Sequence, residues 1–312
     1  MKTRTIFPLA ILFFTVSVLS LTGCKKDKID EGNSDSSSME QLSNDENNAE
    51  AVMDDATQDV ENVLSYHSLL KSTEGLPCNA TVDSVAVSND TITILITYNG
   101  LNCNGTRNRT GQIEIKKKVG THWGQAGATI RYRYINFSVT RVATGRSITL
   151  NGTKTFVNVN GGFIWQVGNP LVPSVTHQQT GSMQITFDNG DTRNWNIARQ
   201  RTYTGTQGNL LMTVDGLGTA GDYSNLVTWG LNRKGEQFYT QITQSVVLRQ
   251  QCGWDPVLGV KVHQIPSDNK SATITFGYNN NNEPITGDEC PTRFRIDWQK
   301  GTHSGTKYLQ LP

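Results

Sequence analysis

The stretch T-I-T-I-L-I-T-Y, residues 91–98, decides the fold because apolar and polar side chains alternate along most of it. Ile92, Ile94 and Ile96 share one parity, and threonines occupy most of the other. A period of two places one face of a strand on a core and the other in water. The stretch therefore predicts a half-buried β-strand, which is typical of antiparallel sheets.

The same alternation recurs over residues 112–116, 183–187, 238–248 and 293–298. Turn signals separate such runs, and the strongest is D-N-G-D at residues 188–191, which predicts a hairpin. About 12 to 15 strands of ordinary length fit after residue 76. We therefore expect an all-β domain over residues 76–312, built as one or more large antiparallel meander sheets.

A single short helix is predicted before the strands, over residues 49–75. Val52, Ala56 and Val60 recur at four-residue spacing, as on one face of a helix. Residues 24–48 are instead rich in Asp, Glu, Ser and Asn and contain few apolar side chains. That composition predicts a disordered tether.

The first 23 residues have the pattern of a secretory signal peptide. Lys2 and Arg4 precede a 16-residue apolar run over residues 6–21, and the sequence L-T-G-C follows at residues 21–24. A transmembrane anchor is the alternative, but a spanning helix needs roughly 20 apolar residues. The signal-peptide interpretation is therefore favoured.

The L-T-G-C element resembles the lipobox of bacterial lipoproteins, in which the cysteine is acylated and becomes the first mature residue. The resemblance implies that Cys24 carries acyl chains such as palmitate and that the membrane is a partner through this anchor. Lys25, rather than an aspartate, follows the cysteine. By resemblance to lipoprotein sorting, that residue favours the outer membrane, on its periplasmic face or at the cell surface.

Four further cysteines are candidates for disulfide bonds in an exported protein. Three pairings can be drawn, and we favour local pairing because each local pair encloses strand-like runs. The favoured pairs are Cys78 with Cys103 and Cys252 with Cys290. A zinc site is the rival interpretation, but the chain contains no C-x-x-C spacing and its five histidines are scattered. We therefore predict no metal and no cofactor.

Two segments of the chain also repeat one order of residues: a cysteine, a T-I-T strand, a Tyr-Asn pair, the second cysteine of the favoured pair and then a T-R-x-R element. The echo suggests two related β units with a boundary near the glycines of residues 216–221; a single sheet is the alternative.

The same residues carry a resemblance to uncharacterised lipoproteins of Bacteroidota-type bacteria. The pattern T-I-T-I-x-I-x-Y-N-G-x-x-C-x-G-x-x-R-x-G-x-I over residues 91–113 resembles a segment common in those proteins, as does the G-T-K-T run at 152–155. The chain continues with Cys252, with Pro256 one place later than in the related pattern, and with Gly259. The resemblance implies location and β architecture, and it transfers no reaction and no site residue.

Charge and motifs exclude several classes of function. Without Lys2 and Arg4, 26 basic residues face 27 acidic ones, a net charge of −1, so we expect no nucleic-acid partner. No G-x-S-x-G motif is present, and most candidate carboxylates lie in or near turns, where aspartates usually form local hydrogen bonds. We therefore expect a non-enzymatic role in binding or envelope structure, with an envelope protein or a glycan as partner.

Tryptophans support the alternative of a glycan-binding or carbohydrate-active surface protein. Trp123 and Trp165 lie in glycine-rich surroundings, so we expect them to be the most exposed of six tryptophans and able to stack on sugar rings. Packing in the core is the competing interpretation for each.

Overall fold

The computed structural model describes residues 31–69 and 76–311. In these two ranges, one long helix precedes fifteen strands, which confirms the predicted all-β class with a helix first. The elements are α1 Glu31–Leu69, β1 Ala80–Ser88, β2 Thr91–Leu101, β3 Arg107–Lys118, β4 Ala128–Arg141, β5 Ser147–Asn158, β6 Val175–Phe187, β7 Thr192–Thr206, β8 Asn209–Gly216, β9 Gly218–Ala220, β10 Tyr223–Leu231, β11 Gln237–Arg249, β12 Asp255–Ile265, β13 Lys270–Tyr278, β14 Arg293–Lys300 and β15 His303–Gln310. Three 3₁₀ turns lie at Ile164–Gln166, Gln250–Cys252 and Pro266–Asp268.

All fifteen strands belong to one antiparallel sheet, and strands that follow one another along the chain are neighbours nearly throughout. The exception lies at β8–β10. The second half of β7 pairs with β8 and its first half pairs with β10. β11 divides between the same two strands, so β8 and β10 occupy one row of the sheet. The sheet is therefore a meander of thirteen rows, which agrees with the predicted topology.

The glycine cluster at residues 216–221 does not separate two compact units. It lies in a short excursion in which β9 pairs back on β10, between the two halves of a single row. The described residues from Gly32 onward form one compact unit. The predicted sub-boundary was therefore wrong, because the glycines here permit a local detour in a continuous sheet.

The helix is longer than the sequence predicted. It begins at Glu31, so most of the predicted tether, from residue 31 to residue 48, is helical. Met39 and Leu42 within that segment are buried. The composition was misleading because the acidic residues here bond to cations of the sheet, which compensates for the low apolar content. Residues 24–30 and 70–75 lie outside the described residues.

The sheet curves around α1. Side chains from β3, β7, β12 and β15 all contact this one helix, through Arg107, Arg193, Lys261 and Lys307 respectively. Alternate residues of β4 are buried, which places one face of the sheet against the helix and leaves the other in solvent. The core therefore lies on the concave face, between the sheet and the apolar side of α1. Among the described residues, no helix combines the length and apolar character that crossing a bilayer requires.

Candidate functional site

An array of ion pairs fixes the helix in the curved sheet. Acidic side chains along α1 bond to basic side chains that β3, β7, β12 and the β10–β11 turn direct inward. The pairs of this ion-pair ladder are Asp45–Arg233, Glu46–Arg193, Glu50–Lys261, Glu50–Arg199, Asp54–Arg199, Asp54–Arg201, Asp55–Arg107 and Asp59–Arg109. The carboxylate of Glu61 also lies 3.0 Å from Nδ1 of His177 in β6, a contact that is ionic only when the imidazole is protonated. Buried charges require such partners because desolvation strongly disfavours an unpaired charge.

The pKa values along the ladder reflect the balance between lost solvation and these partners. Loss of water around Asp54 would raise the pKa of its carboxyl, but Arg201 and Arg199 outweigh that effect and hold it below its usual value. At Asp59, burial prevails over the attraction of Arg109, so the pKa of this carboxyl is raised. The ladder thus contains a carboxylate that its cations stabilise, Asp54, and a carboxylate that burial penalises, Asp59.

One buried cation lacks a hydrogen-bond partner. Lys154 is fully buried, and within the described part of the chain its Nζ has no partner. The Nζ lies 5.5 Å from the ring centre of Tyr134 and 5.9 Å from that of Tyr132. Burial, together with Arg199 and Arg201, lowers the pKa of Lys154 well below its usual value. The concave face therefore contains a basic side chain for which the ladder supplies no direct partner.

An aromatic cleft of about 390 Å³ opens beside the C-terminal half of α1. Its other walls come from β3, the β5–β6 connection, the β7–β8 hairpin and the turn before β12. Its aromatic and polar lining residues include Trp165, Gln207, Gln250, Trp254 and Asp255. Concave sites with aromatic walls and a few polar groups are typical of ligand pockets. We treat this aromatic cleft as the candidate site.

Local hydrogen bonds position Trp165. This tryptophan lies in the 3₁₀ turn Ile164–Gln166, and its ring stacks on Phe163 at 5.8 Å between ring centres. The Nε2 of Gln207 donates to the carbonyl of Ile164 at 2.9 Å, which ties the β7–β8 hairpin to this turn. Trp165 remains 54% exposed, so its ring is accessible from the cleft.

A tight turn positions Trp254. Gly253 and Trp254 both have positive φ angles, 68° and 67°, and the Trp254 N–H donates to the carbonyl of Arg249. A positive φ is costly for a bulky residue, so the surrounding bonds must maintain this turn. The neighbouring Cys252–Cys290 disulfide and the contact of Trp254 with Tyr203 contribute to that restraint.

Asp255 adds an unusual carboxyl to the cleft. It directly follows Trp254 and begins β12. Burial raises the pKa of its carboxyl to about 6. A carboxyl group with this pKa exists in both protonation states near neutral pH, so it can donate or accept a hydrogen bond.

The two tryptophans predicted to stack on sugars differ in their exposure. Trp165 is exposed, as expected. Trp123 is 2% exposed and stacks on Phe156, so the expectation that it binds a sugar ring was wrong. The side-chain amide of Asn158 donates to the carbonyl of Trp123, which helps to hold this glycine-rich segment against the core. The glycines near Trp123 therefore permit close packing rather than exposure.

Both predicted disulfide bonds are present. Cys78 pairs with Cys103 and Cys252 pairs with Cys290. Cys24 lies outside the described residues, so its acylation stays a prediction. Among residues 31–69 and 76–311, no group of three or more potential metal-ligating side chains is close enough to hold a metal ion.

Sequence reasoning missed Trp254, Asp255, Gln207 and Gln250 as cleft residues. These residues lie in or next to two turns that are close to Trp165 only in the folded structure. Their grouping could therefore be found only from the order of the strands. Comparison of the chain with protein-family models, curated proteins and solved structures gave no match.

Proposed function

We propose that this protein is an exported, lipid-anchored lipoprotein of the outer membrane with a non-enzymatic binding role. The signal-peptide pattern of residues 1–23 and the L-T-G-C element support export and acylation of Cys24. Two disulfide bonds fit an oxidising compartment outside the cytoplasm. The lipid anchor supplies contact with the membrane, and the folded domain supplies binding.

The exposed Trp165 in the aromatic cleft carries the proposal of a binding role. A large aromatic ring that is 54% exposed in a concave, hydrogen-bonded setting loses unfavourable hydration when a ligand covers it. Two carboxylates of this site, Asp54 and Asp55, bond to arginines of the ladder. Recognition through Trp165 and Trp254 therefore needs no change in the ladder.

A glycan is the second candidate for the ligand, and two observations favour it. Trp165 and Trp254 offer flat apolar surfaces of the kind on which sugar rings stack, and Gln207 and Gln250 lie beside them. Asp255 would also allow the protein to act on a bound carbohydrate, because a carboxyl with a raised pKa can act as a general acid. An envelope protein that inserts an apolar side chain is the other partner class.

Glycan-array screening of the detergent-solubilised full chain, followed by titration with each retained oligosaccharide, tests these alternatives. Trp165→Ala should weaken binding about two- to tenfold, the range expected for loss of an aromatic contact. Leu171→Ala is the matched control because Leu171 is 90% exposed and does not line the cleft. Equal effects of the two variants would contradict binding at the cleft.

The same preparations distinguish binding from catalysis. If the wild-type protein releases reducing ends from an oligosaccharide and Asp255→Asn does not, the carbohydrate-active alternative is established. Retention of intact oligosaccharide would favour the binding role. If no glycan binds and a cross-linked envelope protein is instead lost in Trp165→Ala, the protein partner would be supported.

A further inference from the structure

A second and larger cavity, of about 650 Å³, lies beside the N-terminal half of α1. The β4–β5 hairpin forms its opposite wall, and Phe187 at the end of β6 closes one side. The aromatic cleft is lined by α1 residues from Ala51 onward, whereas this cavity is lined by α1 residues up to Val52. The two sites therefore lie along successive parts of the helix.

Two arginines at the β4–β5 hairpin face this cavity without acidic partners. Arg141 ends β4, and its backbone N–H donates to the carbonyl of Arg146 across the turn. Within residues 31–69 and 76–311, neither guanidinium takes part in a salt bridge or a side-chain hydrogen bond. Cations placed side by side repel one another, so this arrangement costs stability unless an anion joins them.

The strand pairing places a third arginine beside Arg141. Arg107 of β3 lies directly opposite Arg141 in the register, and its guanidinium bonds to Asp55. Partial burial lowers the pKa of Arg141, and the charge of Arg146 lowers it further. Arg141 thus lies between two like charges, one of which already has a carboxylate.

Most carboxylates at this cavity have cationic partners. Asp45 forms two hydrogen bonds with Arg233, at 2.6 and 2.7 Å, and Glu40 bonds to Lys307. Asp188 accepts the N–H of Asn189 within the β6–β7 hairpin. Two of the three carboxylates that line the cavity are thus paired with cations, and the two guanidinium groups of the hairpin can bind a negative group of a ligand.

Apolar side chains line the cavity beside these arginines. Val139 is 3% exposed, and Ile148, directly opposite it in the register, is 9% exposed. Phe187 carries the guanidinium of Arg233 over its ring, and Val52 of α1 is also buried. A ligand that contacts both kinds of group must combine an anionic end with an apolar body.

We propose that this cavity binds an organic anion, with a carboxylate or phosphate between Arg141 and Arg146 and an apolar portion against Val139, Ile148 and Phe187. Guanidinium groups bind carboxylates and phosphates through paired hydrogen bonds. The volume accommodates a small ligand. This site is separate from the aromatic cleft and does not depend on the function proposed for it.

Isothermal titration calorimetry of the full chain with phenyl phosphate, inorganic phosphate and benzyl alcohol tests the proposal. Phenyl phosphate has both features of the expected ligand, and each other probe has one of them. We expect phenyl phosphate to bind most tightly, inorganic phosphate more weakly and benzyl alcohol more weakly still. Equal affinity for benzyl alcohol and phenyl phosphate, or no binding of phenyl phosphate, would overturn the proposal.

Variants locate the binding. Arg141→Gln should weaken phenyl phosphate binding about tenfold or more, because a hydrogen bond to a charged group is lost. Arg146→Gln should have a smaller effect, since Arg146 is exposed. Arg131→Gln is the matched control, because Arg131 is an exposed arginine of the same strand, ten residues away and outside the cavity. If Arg131→Gln weakens binding as much as Arg141→Gln, the anion responds to the general charge and the assignment fails.

Arg141→Lys and a measurement of folding show whether a loss of affinity comes from the lost donors or from an unfolded domain. The substitution keeps the positive charge but removes the planar pair of donors, so we expect an affinity between those of wild type and Arg141→Gln. Thermal unfolding of each variant, followed by circular dichroism, checks that the domain is intact. Wild-type affinity in a folded Arg141→Gln variant would reject the site.

Discussion

Replacement of Glu46 by alanine tests the ion-pair ladder at its most buried point. Glu46 is 0% exposed; its Oε1 bonds to Arg193, and its Oε2 accepts the hydroxyl of Thr228 at 2.8 Å. Arg193 is itself 1% exposed and lies over the ring of Phe238. The substitution would leave this guanidinium buried without its carboxylate, which costs about 3–5 kcal/mol of unfolding free energy.

For a domain of this size, that loss corresponds to a fall in Tm of about 6–20 °C. Guanidinium chloride unfolding followed by circular dichroism gives the free energy directly. Glu40→Ala is the matched control on the same helix, because the pair Glu40–Lys307 is partly exposed, and we expect it to cost at most about 1 kcal/mol.

The double variant Glu46→Leu with Arg193→Met distinguishes a buried charge from lost packing. It removes both charges and retains apolar volume, so its unfolding free energy should recover most of the loss seen in Glu46→Ala. If Glu46→Ala costs no more than Glu40→Ala, or if the double variant loses the sum of both single effects, the reasoning from the buried pair is refuted.

Two further predictions concern Asp255 and Cys24. Burial raises the folded-state pKa of Asp255 from 3.8 to about 6, so this carboxyl should reduce the unfolding free energy progressively as pH rises from about 4 to above 6. Denaturant titrations across this pH range should show a smaller decline of the unfolding free energy in Asp255→Asn than in wild type. Identical profiles would contradict the raised pKa. Cys24→Ser should abolish incorporation of labelled palmitate and release the protein from the membrane fraction, and an acylated, membrane-bound variant would disprove the anchor.

Local sequence patterns predicted the sheet because strand periodicity depends on neighbouring residues alone. The alternation in residues 91–98 and the turn at 188–191 both correspond to elements of the structure. Pairing of Cys252 with Cys290 was predictable for the same reason, since the partners enclose a local group of strands.

The ladder could not be predicted in this way. Arg193, Arg199 and Arg201 are polar and would ordinarily be assigned to a solvent face, yet they share the inward parity of Trp195 and Tyr203. Their acidic partners lie about 145 to 150 positions earlier in the chain. The acidic start of α1 looked unable to fold because the cations that neutralise it are distant in sequence. The aromatic cleft escaped detection for the same reason, since its walls come from five separate segments of the chain.

The wide sequence separation of the ladder partners predicts an order of folding. Most strands pair with the next strand through a short turn, so the sheet can grow from one end of the chain to the other with little loss of loop entropy. The carboxylates of α1, by contrast, pair with Arg193, Arg233 and Lys261, which follow them in the sequence by 147, 188 and 211 positions. We therefore expect the helix, although it is synthesised first, to dock after the sheet has assembled the cations that bind its carboxylates.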